Sequence, residues 1–429
     1  MPDPLFSPLR IGSLEISGRI AKTATSETRA TADGHVTDEL LAFYEPIVRA
    51  GTPLVITGNI YVMPQGKSTP LQCGIDDDDK LPGLRRWTEL AHRHGSRIVA
   101  QLNHCGRQNI PAAVGLKEAV SASNVTEKLM GTKPRPLSRG EIHDTVDAFA
   151  EAAVRASRAG FDGVQIHIGH GYLLNQFLAP YTNRRTDAYG GSLENRMRIV
   201  RETLGAIRHR VGRDYPIIAK LNGADLLHGR RGATTKELLA VAKVLEGDGL
   251  DGVEITVGHY ESGLPMMRGN FDTFFSTMAT HGAARNTSAA RRFGLRLVSP
   301  LLAKACNALW PTQEGFNRHY ARLFRRELTM PVLCVGGFHT REGMESALAS
   351  GDCDGVTIGR AMIANPWLVR DLREGRTGPV CNYTNGCIAR AGNMPVDCYD
   401  PSVRAERDLV PLRRKDSFPR ESNAPILGR

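Results

Sequence analysis

The chain has 429 residues, of which 41% are hydrophobic and 23% are charged, as is typical of a globular protein. Its formal charge of +10 would suit a nucleic-acid partner, but the arginines are scattered without an interleaved aromatic patch, so no such partner is expected. No apolar run reaches the roughly 18 residues of a membrane span, and the N-terminus lacks a signal-peptide pattern. We therefore expect a cytoplasmic protein without a membrane partner.

Eight short apolar segments rich in β-branched residues alternate with helical patterns along the chain. They are predicted to be strands at 20–24, 53–58, 97–103, 163–168, 216–222, 251–258, 331–337 and 354–360. Continuous apolar strands that alternate with helices indicate a parallel sheet buried on both faces. Eight such units predict an α/β fold, the closed (β/α)8 TIM barrel.

The helices between these strands have readable boundaries. Ser138 and Glu141 form a capping box, in which each side chain accepts a hydrogen bond from the backbone N–H of the other residue. Apolar residues then recur at helical spacing to about residue 159, and Gly160 ends the helix. Ser192 predicts the start of another helix, because its side chain can cap free backbone N–H groups.

Two connections are too long for ordinary barrel loops. They are 103–136, after the third strand, and 258–330, after the sixth, which contains a predicted helix at 314–328. Long loops at the carboxyl ends of barrel strands usually build the substrate pocket. The barrel is predicted to occupy residues 1–378, and the weakly periodic residues 379–429 are predicted to be an extension rather than a domain.

Polar side chains gather where the fourth strand ends. His167 and His170 lie at this point, and Tyr172 follows two residues later. Catalytic residues of a TIM barrel lie at the carboxyl ends of its strands, so this segment is the first candidate for an active site. Two histidines three residues apart could also bind a metal ion, but no third ligand of that kind lies nearby, and no metal is expected.

The last two strands indicate what kind of ligand binds. The seventh strand ends in Gly336 and Gly337, and the eighth ends in Gly359 and Arg360. Glycines at these positions, followed by short helices, form the usual phosphate site of a TIM barrel from open backbone N–H groups and a helix terminus. The expected partner is therefore a small molecule that carries a phosphate group.

Several motifs resemble one known family. The segment HIGHGYLLNQFLAPYTNRRTDAYGGSLENRMR at 167–198 resembles the signature of the old yellow enzyme family of flavin-dependent ene-reductases. GRIAKTATS near the start, QLNHCGR at 101–107 and GGF…GDCDGVTIGRAMIANP toward the end are similar to family motifs in the same order. The resemblance implies that the chain binds FMN in a (β/α)8 barrel and reduces activated C=C bonds with NADH or NADPH.

The resemblance also implies which residues bind FMN. Lys220 would lie near the N1/O2 edge of the flavin ring, where negative charge develops on reduction. The other ring contacts would come from the ends of the first three strands, at Thr23, Ala24, Thr25, Ser26, Asn59 and Gln101. The phosphate would be held by the residues after the last two strands, Gly336, Gly337, Gly359 and Arg360.

The same resemblance implies roles in the reaction. His167 and His170 would hydrogen-bond the electron-withdrawing oxygen of an activated alkene, such as an α,β-unsaturated carbonyl compound. Flavin N5 would transfer hydride to the β-carbon, and Tyr172 would give a proton to the α-carbon. Thr28 and Tyr260 are candidate substrate contacts. The same FMN site would also serve a flavin or quinone reductase or an NAD(P)H oxidase, which the sequence separates poorly from an ene-reductase.

The cysteines bear on two further expectations. Eight of them are spread without a CxxC pair, which indicates reduced thiols. Larger relatives in the family ligate an iron–sulfur cluster just past the barrel, which needs four thiolates. Here Cys381, Cys387 and Cys398 are present and Thr384 occupies the second position, so no iron–sulfur cluster is expected. The extension could reach a neighbouring subunit, which makes a homo-oligomer a further expectation.

Overall fold

The computed structural model describes residues 3–227, 229–262 and 265–413. Residues 414–429 of the predicted extension lie outside this described part, so the boundary between barrel and extension at residue 379 stays a prediction. Within the described ranges the strands are β1 (Leu9–Ile11), β2 (Leu14–Ile16), β3 (Ile20–Lys22), β4 (Leu54–Tyr61), β5 (Arg97–Asn103), β6 (Ala119–Ser121), β7 (Pro134–Pro136), β8 (Gly163–His167), β9 (Ile217–Asn222), β10 (Gly252–Thr256), β11 (Val332–Val335) and β12 (Gly355–Ile358).

The helices of the same ranges lie mostly between the barrel strands. They are α1 (Asp38–Arg49), α2 (Leu81–Arg93), α3 (Arg139–Arg158), α4 (Leu173–Leu178), α5 (Leu193–Val211), α6 (Thr235–Gly247), α7 (Phe274–Thr280), α8 (Ala289–Leu309), α9 (Arg318–Glu327), α10 (Arg341–Ala349), α11 (Arg360–Ala364), α12 (Leu368–Glu374), α13 (Gly386–Ala389) and α14 (Pro401–Arg413). No helix of the described residues combines the length and the apolar composition that crossing a bilayer requires.

Eight parallel strands close into a barrel in the order β3-β4-β5-β8-β9-β10-β11-β12. The closing pair is β12 with β3, in which Thr357 lies opposite Ala21. Each of the eight predicted segments overlaps one barrel strand, and only β4 runs past its predicted end, so the predicted (β/α)8 barrel is confirmed. Residues that point outward from the strands join the side chains of the surrounding helices in one large apolar core.

A short hairpin that the sequence analysis did not predict covers the amino-terminal end of the barrel. Its strands β1 and β2 pair antiparallel, and Gly12 turns between them with φ +58°. Ile11 and Ile16 are buried in a second apolar cluster with the inward-facing Ile56 and Ile218 of the barrel. This cluster seals one end of the barrel, so the carboxyl ends of the strands form the end available to a ligand.

The predicted helix boundaries are confirmed where a capping residue marks them. In α3 the Ser138 hydroxyl accepts from the Glu141 backbone N–H at 3.2 Å, and the Glu141 carboxylate accepts from the Ser138 N–H at 2.9 Å. Gly160 follows the helix with φ +90°. Before α5, the Ser192 hydroxyl accepts from the Asn195 N–H at 3.2 Å.

Both long connections build additional structure. The one after β5 holds the parallel pair β6 and β7, and the one after β10 holds α7, α8 and α9. The helix predicted at 314–328 begins only at Arg318, because Gly315 adopts φ +64° and interrupts the helical backbone. The Glu314 carboxylate instead accepts hydrogen bonds from the N–H groups of His339 and Thr340.

Candidate active site

Inward-facing side chains are stacked in layers along the barrel. Above the apolar cluster at the sealed end, the interior becomes polar, because β5, β8, β9 and β10 each place a polar side chain there. These side chains are Gln101, Gln165, Lys220 and Glu254, and each is at most 4% exposed. A charged residue this deeply buried requires a partner, since an uncompensated charge in a low-dielectric interior is costly.

Glu254 is the centre of this polar layer. One carboxylate oxygen lies 3.1 Å from Lys220 Nζ and accepts from Gln165 Nε2 at 2.9 Å. The other accepts from the hydroxyl groups of Thr23 and Thr357. Burial raises the pKa of Glu254, but the Lys220 charge and the hydrogen bonds outweigh burial, so its pKa lies below the usual value. The carboxylate is therefore ionised at neutral pH.

The network extends to two predicted flavin contacts. Lys220 Nζ donates to Thr23 Oγ1 at 2.7 Å, and Gln101 Nε2 donates to Gln165 Oε1 at 2.6 Å. A lysine ammonium has three donors, and Thr23 and Glu254 engage two of them, which leaves one for a ligand. The predicted residues Thr23, Gln101 and Lys220 therefore lie together, joined by residues that the sequence analysis did not single out.

The last residue of β8, His167, forms a hydrogen-bonded pair with His170. His167 Nε2 lies 3.0 Å from His170 Nδ1, and His170 Nε2 lies 2.8 Å from the Thr256 hydroxyl. Burial lowers the pKa of His167 well below its ordinary value, and that of His170 to about 3, so both rings are neutral at pH 7. His167 Nδ1 is buried and has no hydrogen-bond partner in the described residues.

Tyr172 lies against this pair. Its ring centroid is 4.7 Å from that of His167, and its side chain shares a hydrogen bond with Asn59. Burial raises the pKa of Tyr172 above its ordinary value, with a further contribution from Tyr260, so the hydroxyl is protonated at neutral pH. Asn59 is thus placed against Tyr172, and its Oδ1 has no partner in the described residues.

The remaining residues predicted near the flavin ring follow β3. Ala24, Thr25 and Ser26 are half-buried, so this segment borders solvent. The Thr25 hydroxyl accepts from Lys22 Nζ at 3.1 Å and donates to the Glu27 carboxylate at 3.0 Å, which fixes the turn.

The two predicted substrate contacts lie in different surroundings. Thr28 is buried with φ +53°, and its hydroxyl has no partner within the described residues. Tyr260 belongs to the loop after β10, and its backbone N–H donates to the His170 carbonyl at 2.8 Å. Tyr260 therefore lies beside the histidine pair.

Two of the predicted phosphate residues, Arg360 and Gly337, contact the extension. Arg360 Nη1 donates to the Met267 carbonyl at 2.8 Å and to Asn385 Oδ1 at 2.5 Å, and its guanidinium lies 4.6 Å from the Tyr383 ring centroid. The Tyr383 hydroxyl donates to the Gly337 carbonyl at 2.8 Å. Arg360 thus joins the extension to the long connection after β10.

The glycines of this region have a packing role of their own. Gly337 has φ +72°, and a Cβ atom there would lie 2.6 Å from the Gln313 carbonyl oxygen. A Cβ on Gly336 would lie 3.0 Å from the Asn317 backbone nitrogen. Packing alone therefore requires Gly337, whatever ligand the backbone N–H groups bind.

Comparison with known proteins identifies the family. A model of the NADH:flavin oxidoreductase / NADH oxidase family matches residues 4–291.

The chain belongs to this family.

Curated relatives and solved structures agree with the assignment. An NADH oxidase of Thermoanaerobacter brockii is 33% identical over 390 residues, which are 90% of this chain and 53% of that protein. A 4,4'-dithiodibutanoate disulfide reductase of Rhodococcus erythropolis is 30% identical over 391 residues, 90% of this chain and 93% of that protein. A metal reductase of Desulforamulus reducens is 32% identical over 95% of this chain and 55% of that protein. The chain thus spans about half the length of the first and third of these relatives.

The solved structures share the barrel. A 2-naphthoyl-CoA reductase in complex with 2-naphthoyl-CoA is 25% identical, with a TM-score of 0.79 over 95% of this chain and 58% of that chain. An old yellow enzyme homologue from Zymomonas mobilis is 24% identical, with a TM-score of 0.68 over 94% of this chain and 99% of that chain. Together with the family match, these likenesses confirm the resemblance to old yellow enzymes that the sequence motifs indicated.

The family description implies a flavin, and the residues at the open end of the barrel fit one. Lys220 retains a free donor at the open end of the barrel, and a flavin ring edge offers acceptors. The buried Asn59 Oδ1 and His167 Nδ1 both lack partners in the described part of the chain, so each gains from a bound polar molecule. Among the described residues no group of three or more histidines, cysteines or acidic residues could hold a metal ion.

Sequence reasoning missed several residues of this site. Glu254 and Gln165 are hydrogen-bonded to each other in the polar layer, and the Thr256 hydroxyl is hydrogen-bonded to His170. One signal was available in the sequence, because the strand DGVEITVG places an acidic residue inside an otherwise apolar segment. A charge there can only face the barrel interior or the helix layer, and alternation with Val253 and Ile255 selects the interior.

Proposed function

We propose that the chain is an FMN-dependent oxidoreductase that takes electrons from NADH or NADPH and reduces an activated alkene. The observation that carries the proposal is the contact of Tyr172 with the neutral pair His167 and His170, above the buried Lys220. This arrangement supplies hydrogen-bond donors for a substrate oxygen, a proton donor and a cation at the same end of one barrel. Membership of a flavin oxidoreductase family supports the choice of FMN.

FMN would supply hydride chemistry, accepting hydride from NAD(P)H and passing it from N5 to the β-carbon of the alkene. The residues of the chain supply the charge, the positioning and the phosphate contacts. Lys220 offers positive charge where negative charge develops on the ring. Glu254 holds Lys220 in place and balances its charge before the reaction. Arg360, Gly336, Gly337 and Gly359 are proposed to surround the phosphate.

The histidine pair is proposed to bind the electron-withdrawing oxygen of the substrate. If the Thr256 hydroxyl donates to His170 Nε2, His170 Nδ1–H donates to His167 Nε2, and His167 keeps a proton on Nδ1. That atom is the one without a partner in the described residues, so His167 donates directly to the substrate and His170 fixes its ring orientation. His170 would reach the same oxygen only by releasing His167 or Thr256.

Tyr172 is proposed to protonate the α-carbon. Its hydroxyl stays protonated at neutral pH because burial raises its pKa. Asn59 hydrogen-bonds the phenol side chain, and this bond favours the tyrosinate formed after proton transfer. A positioned general acid typically contributes about 100- to 10,000-fold in rate.

The test separates the two half-reactions under anaerobic conditions. NADPH or NADH is added until the visible flavin band bleaches, and 2-cyclohexenone is then mixed in while the return of the band is followed. We expect Tyr172→Phe to bleach at the wild-type rate and to recover at least about 100-fold more slowly. Tyr215→Phe is the matched control, because the Tyr215 hydroxyl donates to Phe161 at the sealed end of the barrel.

Two results would contradict the proposal. Equal recovery rates in wild type and Tyr172→Phe would show that Tyr172 is not the proton donor. Bleaching without recovery by the alkene, followed by recovery in air, would support the second candidate function, an NAD(P)H oxidase or a flavin or quinone reductase. The similarity to the Thermoanaerobacter brockii NADH oxidase favours that alternative, which uses the same flavin site.

A further inference from the structure

The outward side of α8 carries an exposed apolar face. Nine large apolar side chains are exposed in the described residues, and five of them belong to this helix. Phe293 and Leu297 are each 71% exposed, and Leu301 is 72% exposed. These three residues are spaced four apart, so they lie on one side of the helix, with Val298 beside them. We refer to these four residues as the apolar face.

The opposite side of α8 is apolar as well. Ala303 and Cys306 are buried in a cluster with Phe271, Phe274 and Phe275, and Leu295 and Leu302 pack against it. A helix with apolar residues on two opposite sides normally buries both of them, because a helix on a protein surface has a single apolar stripe facing the core. The described part of this chain buries only the inner side of α8, so the apolar face needs a partner outside it.

The charge around the apolar face indicates what kind of partner fits. Residues 283–313 contain no aspartate or glutamate, but they contain the five cations Arg285, Arg291, Arg292, Arg296 and Lys304. A helix that combines an exposed apolar side with basic residues is typical of proteins that lie on membrane surfaces. Each cation near an anionic lipid surface strengthens binding about fivefold.

A second copy of the chain fits this surface less well. Symmetric pairing of two α8 helices would bring cations together without any acidic residue of the segment to pair with them. The apolar face has four side chains, whereas specific protein interfaces use roughly 20–30 residues on each side. A lipid surface needs no matching shape and carries the opposite charge.

We propose that α8 docks the chain on the surface of anionic lipid membranes. The apolar face enters the boundary between headgroups and acyl chains, and the surrounding arginines and Lys304 contact lipid phosphates. No membrane-spanning helix is required, and the described residues contain none. The proposal replaces the sequence-based expectation of no membrane partner, because that expectation considered only spanning segments.

The apolar face is close to the substrate side of the barrel. Arg291 Nη2 donates to the Lys128 carbonyl at 2.6 Å, and the Lys128 N–H donates to the Glu261 carboxylate at 2.7 Å. Glu261 directly follows Tyr260, whose N–H donates to His170. Leu129, which follows Lys128, is a further exposed apolar side chain in this region. Docking through α8 would therefore bring the open end of the barrel beside the lipid.

Sedimentation with vesicles tests the proposal on the full chain. Vesicles of phosphatidylcholine alone are compared with vesicles of phosphatidylcholine and phosphatidylglycerol in equal parts. We expect wild type to sediment with the anionic vesicles and less so as salt is raised. Leu297→Asp should weaken binding at least about tenfold. Leu409→Asp is the matched control, an exposed leucine on α14 that should bind like wild type.

A second variant tests the charges without altering the apolar face. Arg296→Gln combined with Lys304→Gln should weaken binding to the anionic vesicles by about 25-fold, because two cations are removed. Leu297 is already exposed to water, so the thermal midpoint of Leu297→Asp should equal that of wild type. If that midpoint falls, weaker binding by Leu297→Asp could result from lost stability, and the proposal is then tested by the variant that combines Arg296→Gln with Lys304→Gln.

Three results would overturn the proposal. Wild type could remain in the supernatant with anionic vesicles. Leu297→Asp and the charge variant could both sediment like wild type, which would assign binding to another surface. Wild type could form a dimer in solution that Leu297→Asp converts to a monomer without any vesicle binding, which would assign the apolar face to a second copy.

Discussion

Replacing Glu254 with Gln tests the buried network beneath the candidate active site. The change keeps the size of the side chain but removes the charge 3.1 Å from Lys220 Nζ. The two side chains are 0% and 5% exposed, so Lys220 would lose its nearest counter-ion inside the barrel. Loss of one partner of a buried ion pair costs about 3–5 kcal/mol. Because an amide oxygen can still accept from Lys220 and Gln165, we expect the lower value, about 3 kcal/mol.

Urea unfolding of the FMN-free chain measures this free energy. Wild type, Glu254→Gln, Lys220→Met and the double variant form a cycle, whose coupling energy we expect to be about 2 kcal/mol or more. Glu327→Gln is the matched control, because Glu327 pairs with Lys243 at 2.5 Å on the surface, where each side chain is 48% exposed. An exposed pair of this kind contributes less than about 1 kcal/mol.

A coupled network of Glu254 and Lys220 is refuted if Glu254→Gln destabilises the chain no more than Glu327→Gln does. The network is likewise refuted if the effects of Glu254→Gln and Lys220→Met simply add, because the two side chains would then not depend on each other. In either case the polar layer would not be a coupled network, and Glu254 would have no part in holding Lys220.

Two further predictions concern acid stability and FMN binding. The folded chain keeps His167 and His170 neutral, with the pKa of His170 at about 3, while an unfolded histidine titrates near 6.5. The unfolded state therefore binds more protons than the folded state below pH 6.5. As the pH is lowered through this range, each of these histidines should reduce the unfolding free energy by up to about 1.4 kcal/mol per pH unit. His170→Asn should reduce that slope by one proton in urea titrations between pH 5 and 7. Arg360→Gln should weaken FMN binding about tenfold in fluorescence titrations, because it removes the cation proposed to bind the phosphate; unchanged affinity would remove Arg360 from the phosphate site.

Patterns of several residues made the fold predictable. Each barrel strand is an apolar run between helical patterns, and such runs can be read without knowing their neighbours. The hairpin of β1 and β2 was not predicted, because two strands of three residues give too short a pattern to recognise. The start of α9 was wrong by four residues because Gly315 adopts a backbone conformation that the periodicity of the segment does not reveal.

The site was predictable only in part, for a different reason. Motif resemblance predicted His167 and Tyr172 from one recognisable segment, and Lys220 was predicted from its place at the end of the fifth strand. Their contacts join residues far apart in the chain, such as Glu254 with Thr23, and depend on how the closed barrel aligns its strands. The hydrogen bond from Tyr383 to the Gly337 carbonyl also could not be predicted from the sequence, since it depends on where the extension returns to the barrel.

The charges at the open end of the barrel are balanced before a ligand binds. Burial keeps His170 neutral, and Glu254 offsets Lys220, so the site holds a cation without a net local charge. Negative charge that develops on a ligand during hydride transfer would compete with Glu254 for Lys220 and draw a hydrogen bond from His167. Both donors are already in position and buried, so little reorganisation is needed when the charge appears. It follows that Glu254→Gln, which leaves Lys220 unbalanced, should bind anionic ligands at this end more tightly than wild type even though its fold is less stable.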